Sequence, residues 1–76
     1  MIEKDIFLEK FRSLFDSTDP AEIMLSTHFK DLEEWSSLTI LSLIVMCEEE
    51  FNAKILPESI EKAETVEDLC NYASAK

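Results

Sequence analysis

The sequence predicts an all-α fold: a small four-helix bundle of three main helices and one short helix, with a long loop between helices I and II. Three observations carry this. Phe7, Phe11, Leu14 and Phe15 recur at i, i+4, i+7 and i+8, the spacing of one helical face. Leu38 to Cys47 is apolar nearly all the way round, as in a helix that is central to its domain or offers an apolar face to something else. Thr65 followed by Asp68 has the form of a capping pair ahead of Val66, Leu69, Cys70, Tyr72 and Ala73.

Helix I is expected over residues 2–15, with Ile2 and Ile6 extending its apolar stripe and Glu3, Lys4, Glu9, Lys10 and Arg12 outside it. Asp16-Ser17-Thr18-Asp19-Pro20 ends it, because short polar side chains compete for backbone hydrogen bonds and the residue before proline disfavours helix. Residues 19–34 keep no long period and read as a connection with a short helical turn after Pro20, pinned by Ile23, Leu25, Phe29 and Leu32. Helix II starts at Ser36 or Ser37 and runs to Phe51 or Asn52. It closes on Glu48-Glu49-Glu50, acids that oppose the helix macrodipole. The short helix spans Glu58 to Lys62 after Pro57, and the last begins behind Thr65.

A chain of 76 residues allows one domain, residues 1–76, and its 46% hydrophobic content argues against disorder. Seventeen acids against seven bases give a net charge of −10. Residues 1–30 hold six acids and four bases, net −2, whereas residues 31–76 hold eleven and three, net −8. Such a surface repels nucleic-acid phosphates and anionic lipid and favours protein partners with basic patches. The absence of glycine removes any P-loop, Rossmann fingerprint or EF-hand turn. Cys47 and Cys70 fall in apolar helical patterns and read as core residues rather than a disulfide framework. The longest uncharged run, Trp35 to Cys47, is shorter than the ~18–20 residues of a spanning helix, and no secretory signal pattern is visible. A cytoplasmic monomer is the expectation. His28 stands without a nucleophile at a recognised spacing, no metal-ligand pattern is present, and an enzyme is not expected.

The remaining chemistry is the pair Ser36-Ser37 at the head of the apolar helix. Serine is a favoured N-cap. A hydroxyl at a helix N-terminus also suits a covalently attached phosphate, because the dipole and the free amides both favour negative charge there. Trp35-Ser36-Ser37-Leu38, then Cys47-Glu48-Glu49-Glu50-Phe51, Ile55-Leu56-Pro57-Glu58 and Thr65-Val66-Glu67-Asp68-Leu69, together resemble an acyl carrier protein. The similarity extends over essentially the whole chain, and Phe29 lies eight residues before Ser37. The family motif is Asp-Ser-Leu. Registered on Glu48-Glu49-Glu50-Phe51, its serine is Ser37, with Ser36 in the Asp position and Leu38 in the Leu position.

The resemblance implies a 4′-phosphopantetheine arm on Ser37, loaded from coenzyme A by a phosphopantetheinyl transferase. The arm would hold an acyl intermediate of fatty acid or polyketide type as a thioester, for acyl-loading and acyl-processing enzymes with basic docking patches. The acyl chain would retreat between helices in a cavity allowed by Ala63 and Ala73, the alternative being a filled core. The implied partner surface comprises Glu33, Glu34, Trp35, Leu38, Leu41, Val45, Glu48 and Glu49, with Trp35 either a partner anchor or packed on the loop. Where the family places acids, this chain has Ser36, Thr39 and Ser42, which points to a specialised pathway with the negative potential shifted to Asp31, Glu33 and Glu34. A peptidyl carrier would show a Gly-Gly pair before the serine, and this chain has none. An acidic helical adaptor that binds a basic protein surface without a cofactor is the alternative from another class.

Overall fold

The computed structural model describes residues 2–74, and among them every regular element is helical. The helices are α1 (Lys4–Arg12), α2 (Ser37–Phe51), α3 (Pro57–Lys62) and α4 (Val66–Ser74). Two single turns of 3-10 helix, Pro20–Glu22 and Phe29–Asp31, interrupt the α1–α2 connection. α1 packs on α4, α4 on α3 and α3 on α2.

α1 is shorter than its apolar stripe suggests. Ser13 Oγ donates to the Lys10 carbonyl at 2.6 Å, and Leu14 and Phe15 turn their amides to carbonyls three residues back, so the last turn tightens out of α geometry. Phe15 remains buried all the same. At the other end Glu3 is extended, and the Ile2 amide donates to Ser74 Oγ at 3.3 Å, tying the start of the chain to α4. Ile6, expected in the stripe, is 45% exposed; the buried face is narrower, centred on Phe7 and Phe11.

α2 matches its expected limits, with Ser36 and Asn52 as the capping residues. Asn52 takes the left-handed conformation (φ 50°) that glycine usually supplies, and its amide donates to the Glu48 carbonyl at 3.1 Å. α3 starts on Pro57, whose fixed φ and missing amide suit a first helical position. Thr65 and Asp68 cap α4 reciprocally. Thr65 Oγ1 accepts the Asp68 amide at 3.2 Å, and Asp68 Oδ2 accepts the amides of Glu64 and Thr65 at 3.1 and 3.2 Å. Those amides hold the Asp68 carboxyl below its usual range. A lowered folded pKa adds stability above the unfolded value of about 4, and this is lost as pH falls through the folded value. The thermal midpoint of Asp68→Asn is therefore expected below that of the wild type at neutral pH, with the gap closing below about pH 4; a gap constant from pH 7 to pH 3 would contradict this.

Phe7, Phe11, Ile23, Phe29, Leu43, Cys47, Ile60, Val66 and Leu69 form the fully buried core, and Ala63 and Ala73 lie inside the same cluster. The long connection is held by its own apolar residues, Ile23 and Phe29 completely and Leu25 and Leu32 partly. Polar ties add to this: Arg12 Nε donates to the Ile23 carbonyl at 2.8 Å, and the Leu25 and Thr27 carbonyls accept the first amides of α4 at 2.9 and 3.2 Å. No helix among the described residues is long and apolar enough to cross a membrane.

Candidate functional site

The candidate site is the first turn of α2 and the peptide that feeds it. Ser36 is extended, and its Oγ accepts the Thr39 amide at 3.4 Å and lies 3.3 Å from the Thr39 hydroxyl. That hydroxyl donates to the Glu34 carbonyl at 2.8 Å. Ser36 thus closes the helix end. Ser37 is exposed, and its hydroxyl has no hydrogen-bond partner among the described residues. It stands where the first amides of a 15-residue helix have no partner within the helix, and the first turn holds no acid. A phosphate joined to Ser37 would meet unoccupied donors and the positive end of the dipole.

Trp35 and Glu34 turn inward from the peptide before the serines. The Trp35 ring meets Phe29 edge-on at 4.6 Å and lies 6.5 Å from Phe11, which favours the loop-packing role of this half-buried side chain. The Glu34 carboxylate accepts the Thr18 hydroxyl at 2.7 Å and the Ser17 and Thr18 amides, each at 3.0 Å. The Thr18 hydroxyl and then the Ser17 amide hold this carboxyl below its usual range. Of the two loop acids expected on a partner surface, Glu33 is exposed to solvent, while Glu34 is fastened to the loop after α1.

The outer face of α2 is apolar at its start and acidic at its end. Leu38, Leu41 and Val45 are 75%, 61% and 49% exposed, and with Glu48 and Glu49 they share one helical face. A surface groove runs beside them, lined by Leu14, Leu41, Ser42, Val45 and Met46 and closed by Glu49 and Glu50. Of the three acids that close α2, Glu50 pairs with Lys10 at 3.2 Å, while Glu48 and Glu49 are exposed and have no ion pair among the described residues. Leu14 and Met46 were not legible as part of this groove, because each also fits the core stripe of its helix.

A family model described as the phosphopantetheine attachment site matches residues 5–73. The acyl carrier protein of Bdellovibrio bacteriovorus is 34% identical over 73 residues, covering 96% of this chain and 87% of its own. That of Petrotoga mobilis is 34% identical over 76 residues, covering 96% and 89%. The chain belongs to the acyl carrier protein family. It is a carrier and not an enzyme, and the prosthetic group of this family is 4′-phosphopantetheine. The carrier's exposed, unbonded Ser37 hydroxyl at the positive end of α2 fits a group attached through a phosphate.

Proposed function

We propose that this carrier bears its 4′-phosphopantetheine on Ser37 and presents an acyl intermediate, of fatty acid or polyketide type, to the enzymes of a specialised pathway. The reading rests on one observation above the rest: of two adjacent exposed serines, Ser36 has its hydroxyl engaged as the helix cap, while the Ser37 hydroxyl has no hydrogen-bond partner among the described residues. The prosthetic group supplies a flexible arm and a thiol that holds cargo as a thioester. The chain's own residues anchor that arm and offer a docking face, acting as one domain. The phosphopantetheinyl transferase and the acyl-loading and acyl-processing enzymes would meet Leu38, Leu41 and Val45 with apolar contacts. Their basic residues would meet Glu33, Glu48 and Glu49. Specialisation is supported by Ser36, Thr39 and Ser42 standing where family members place acids, so partners built for a charged first turn would find little to hold.

The test is the intact mass of the protein after incubation with coenzyme A, magnesium and a broad-specificity transferase. One phosphopantetheine adduct, mapped to the peptide containing Ser37, is the expected result. A folded protein that gains no adduct with several transferases would return the function to an acidic adaptor. The docking face is tested separately by Leu41→Gln with Val45→Gln. Leu41 and Val45 are 61% and 49% exposed and glutamine suits a helix, so stability is expected to change little. The apparent affinity for a partner enzyme should fall on the order of 30-fold, for roughly 2 kcal/mol of lost apolar contact. Unchanged partner affinity would move the docking surface off α2.

A further inference from the structure

We infer that Glu34 is the positioning residue of the attachment site, fastening the loop after α1 to the peptide before α2 and so fixing the direction in which Ser37 leaves the protein. The inference rests on Ser37 being the residue modified, and it adds what holds that residue in place.

Glu34 is tied at both ends. Its carboxylate takes the Ser17 amide, the Thr18 amide and the Thr18 hydroxyl, sixteen and seventeen positions back in the chain. Its own carbonyl takes the Thr39 hydroxyl, which in turn faces Ser36 Oγ. Between these ties Trp35 is wedged on Phe29 and Phe11. Residues 34 to 36 are therefore held by side chain, backbone and ring together, and Ser37 is the first hydroxyl beyond them that no neighbour engages.

A surface glutamate is ordinarily surrounded by water and has no need of three protein donors. Here the donors come from a segment that shares no helix with the serine, so the carboxylate joins two stretches that the helices alone would leave independent. Each bond has an ionised acceptor, the stronger class of hydrogen bond. Group transfer to a hydroxyl depends on the angle at which it meets the phosphorus, and a held serine arrives oriented where a loose one must be ordered during the reaction. The same chain of bonds ends on Ser36 Oγ, which is engaged with Thr39 while the Ser37 hydroxyl is not.

The experiment follows steady-state loading of the full chain by a broad-specificity transferase with coenzyme A and magnesium. Four variants are compared with the wild type after circular dichroism has shown them folded. Glu34→Ala is expected to lower kcat about tenfold, the scale of one charge-assisted hydrogen bond, while KM for the chain stays within about twofold because the outer face of α2 is untouched. Glu34→Gln keeps an acceptor and should recover part of the loss. Thr18→Val removes one donor and should fall between Glu34→Ala and the wild type. Asp68→Ala removes a similar carboxylate–amide cap from α4, far along the chain from the serine, and should leave kcat unchanged. The Trp35 emission should shift in Glu34→Ala and stay fixed in Asp68→Ala. Wild-type kcat in Glu34→Ala, or an equal loss in Asp68→Ala, overturns the positioning role while leaving Ser37 as the attachment residue. A wild-type chain that takes no adduct at Ser37 removes both readings together.

Discussion

Ser37→Ala is expected to abolish the phosphopantetheine adduct outright, whereas Ser36→Ala is expected to keep it and to lose stability instead. The two serines are adjacent in sequence but do different work. Ser36 Oγ satisfies the Thr39 amide at the end of α2, and an N-cap of this kind contributes about 1 kcal/mol. For a domain of this size that loss lowers the thermal midpoint by roughly 4–8 °C. The Ser37 side chain contributes no hydrogen bond to the fold among the described residues, so its replacement by alanine should leave the midpoint close to the wild type. Intact mass and a melting curve on the two variants separate the roles in one experiment. An adduct retained in Ser37→Ala and absent from Ser36→Ala would reverse the assignment.

Phe11→Ala is expected to leave the fold at the edge of its stability, with up to about half of the protein unfolded at room temperature. Its ring lies 5.2 Å from that of Phe15, 6.3 Å from Phe7, 6.4 Å from Phe29 and 6.5 Å from Trp35, and the residue is fully buried. Truncating a buried phenylalanine costs about 3–5 kcal/mol. A small domain begins with ~5 kcal/mol or little more, so the fold has almost no reserve against that loss. The helical circular dichroism signal should drop, and the Trp35 environment should be lost with it. Phe11→Leu, which retains most of the volume, should stay folded with a lower midpoint. A Phe11→Ala chain that melts within a few degrees of the wild type would mean that this aromatic cluster is not what holds α1 to the loop.

Much of this architecture was legible in the residues because the signals were local. The Thr65–Asp68 pair announces its own cap, Pro57 its own helix start, and the apolar run after Ser37 its own helix. The end of α1 was less legible. Ser13 draws the Lys10 carbonyl into a tighter turn even though the apolar spacing continues past it, and periodicity cannot register that competition. The turn at Phe29–Asp31 was missed for a related reason: one turn of 3-10 helix is too short to show a period. Within the candidate site, the register to the acidic close of α2 selects Ser37, the residue proposed above to carry the prosthetic group, over Ser36. The work of Glu34 was not legible, because its donors lie sixteen and seventeen positions away and only the folded loop brings them together. A glutamate beside Glu33 reads as one more surface charge until Thr18 is found against it.

The burial of the two cysteines has a practical consequence for anyone assaying the loaded carrier. Cys47 is fully enclosed between helices and burial pushes its thiol up to about 11, while burial also raises that of Cys70. At neutral pH only about one Cys47 side chain in ten thousand would be ionised, and the thiolate is the form that reacts. Both thiols of the polypeptide are buried and held toward their un-ionised form, so they are expected to react slowly with alkylating and disulfide reagents while the fold is intact. A colorimetric thiol count on native protein is expected to read first the free prosthetic arm, to fall when cargo is loaded, and to gain the two internal thiols when denaturant is added.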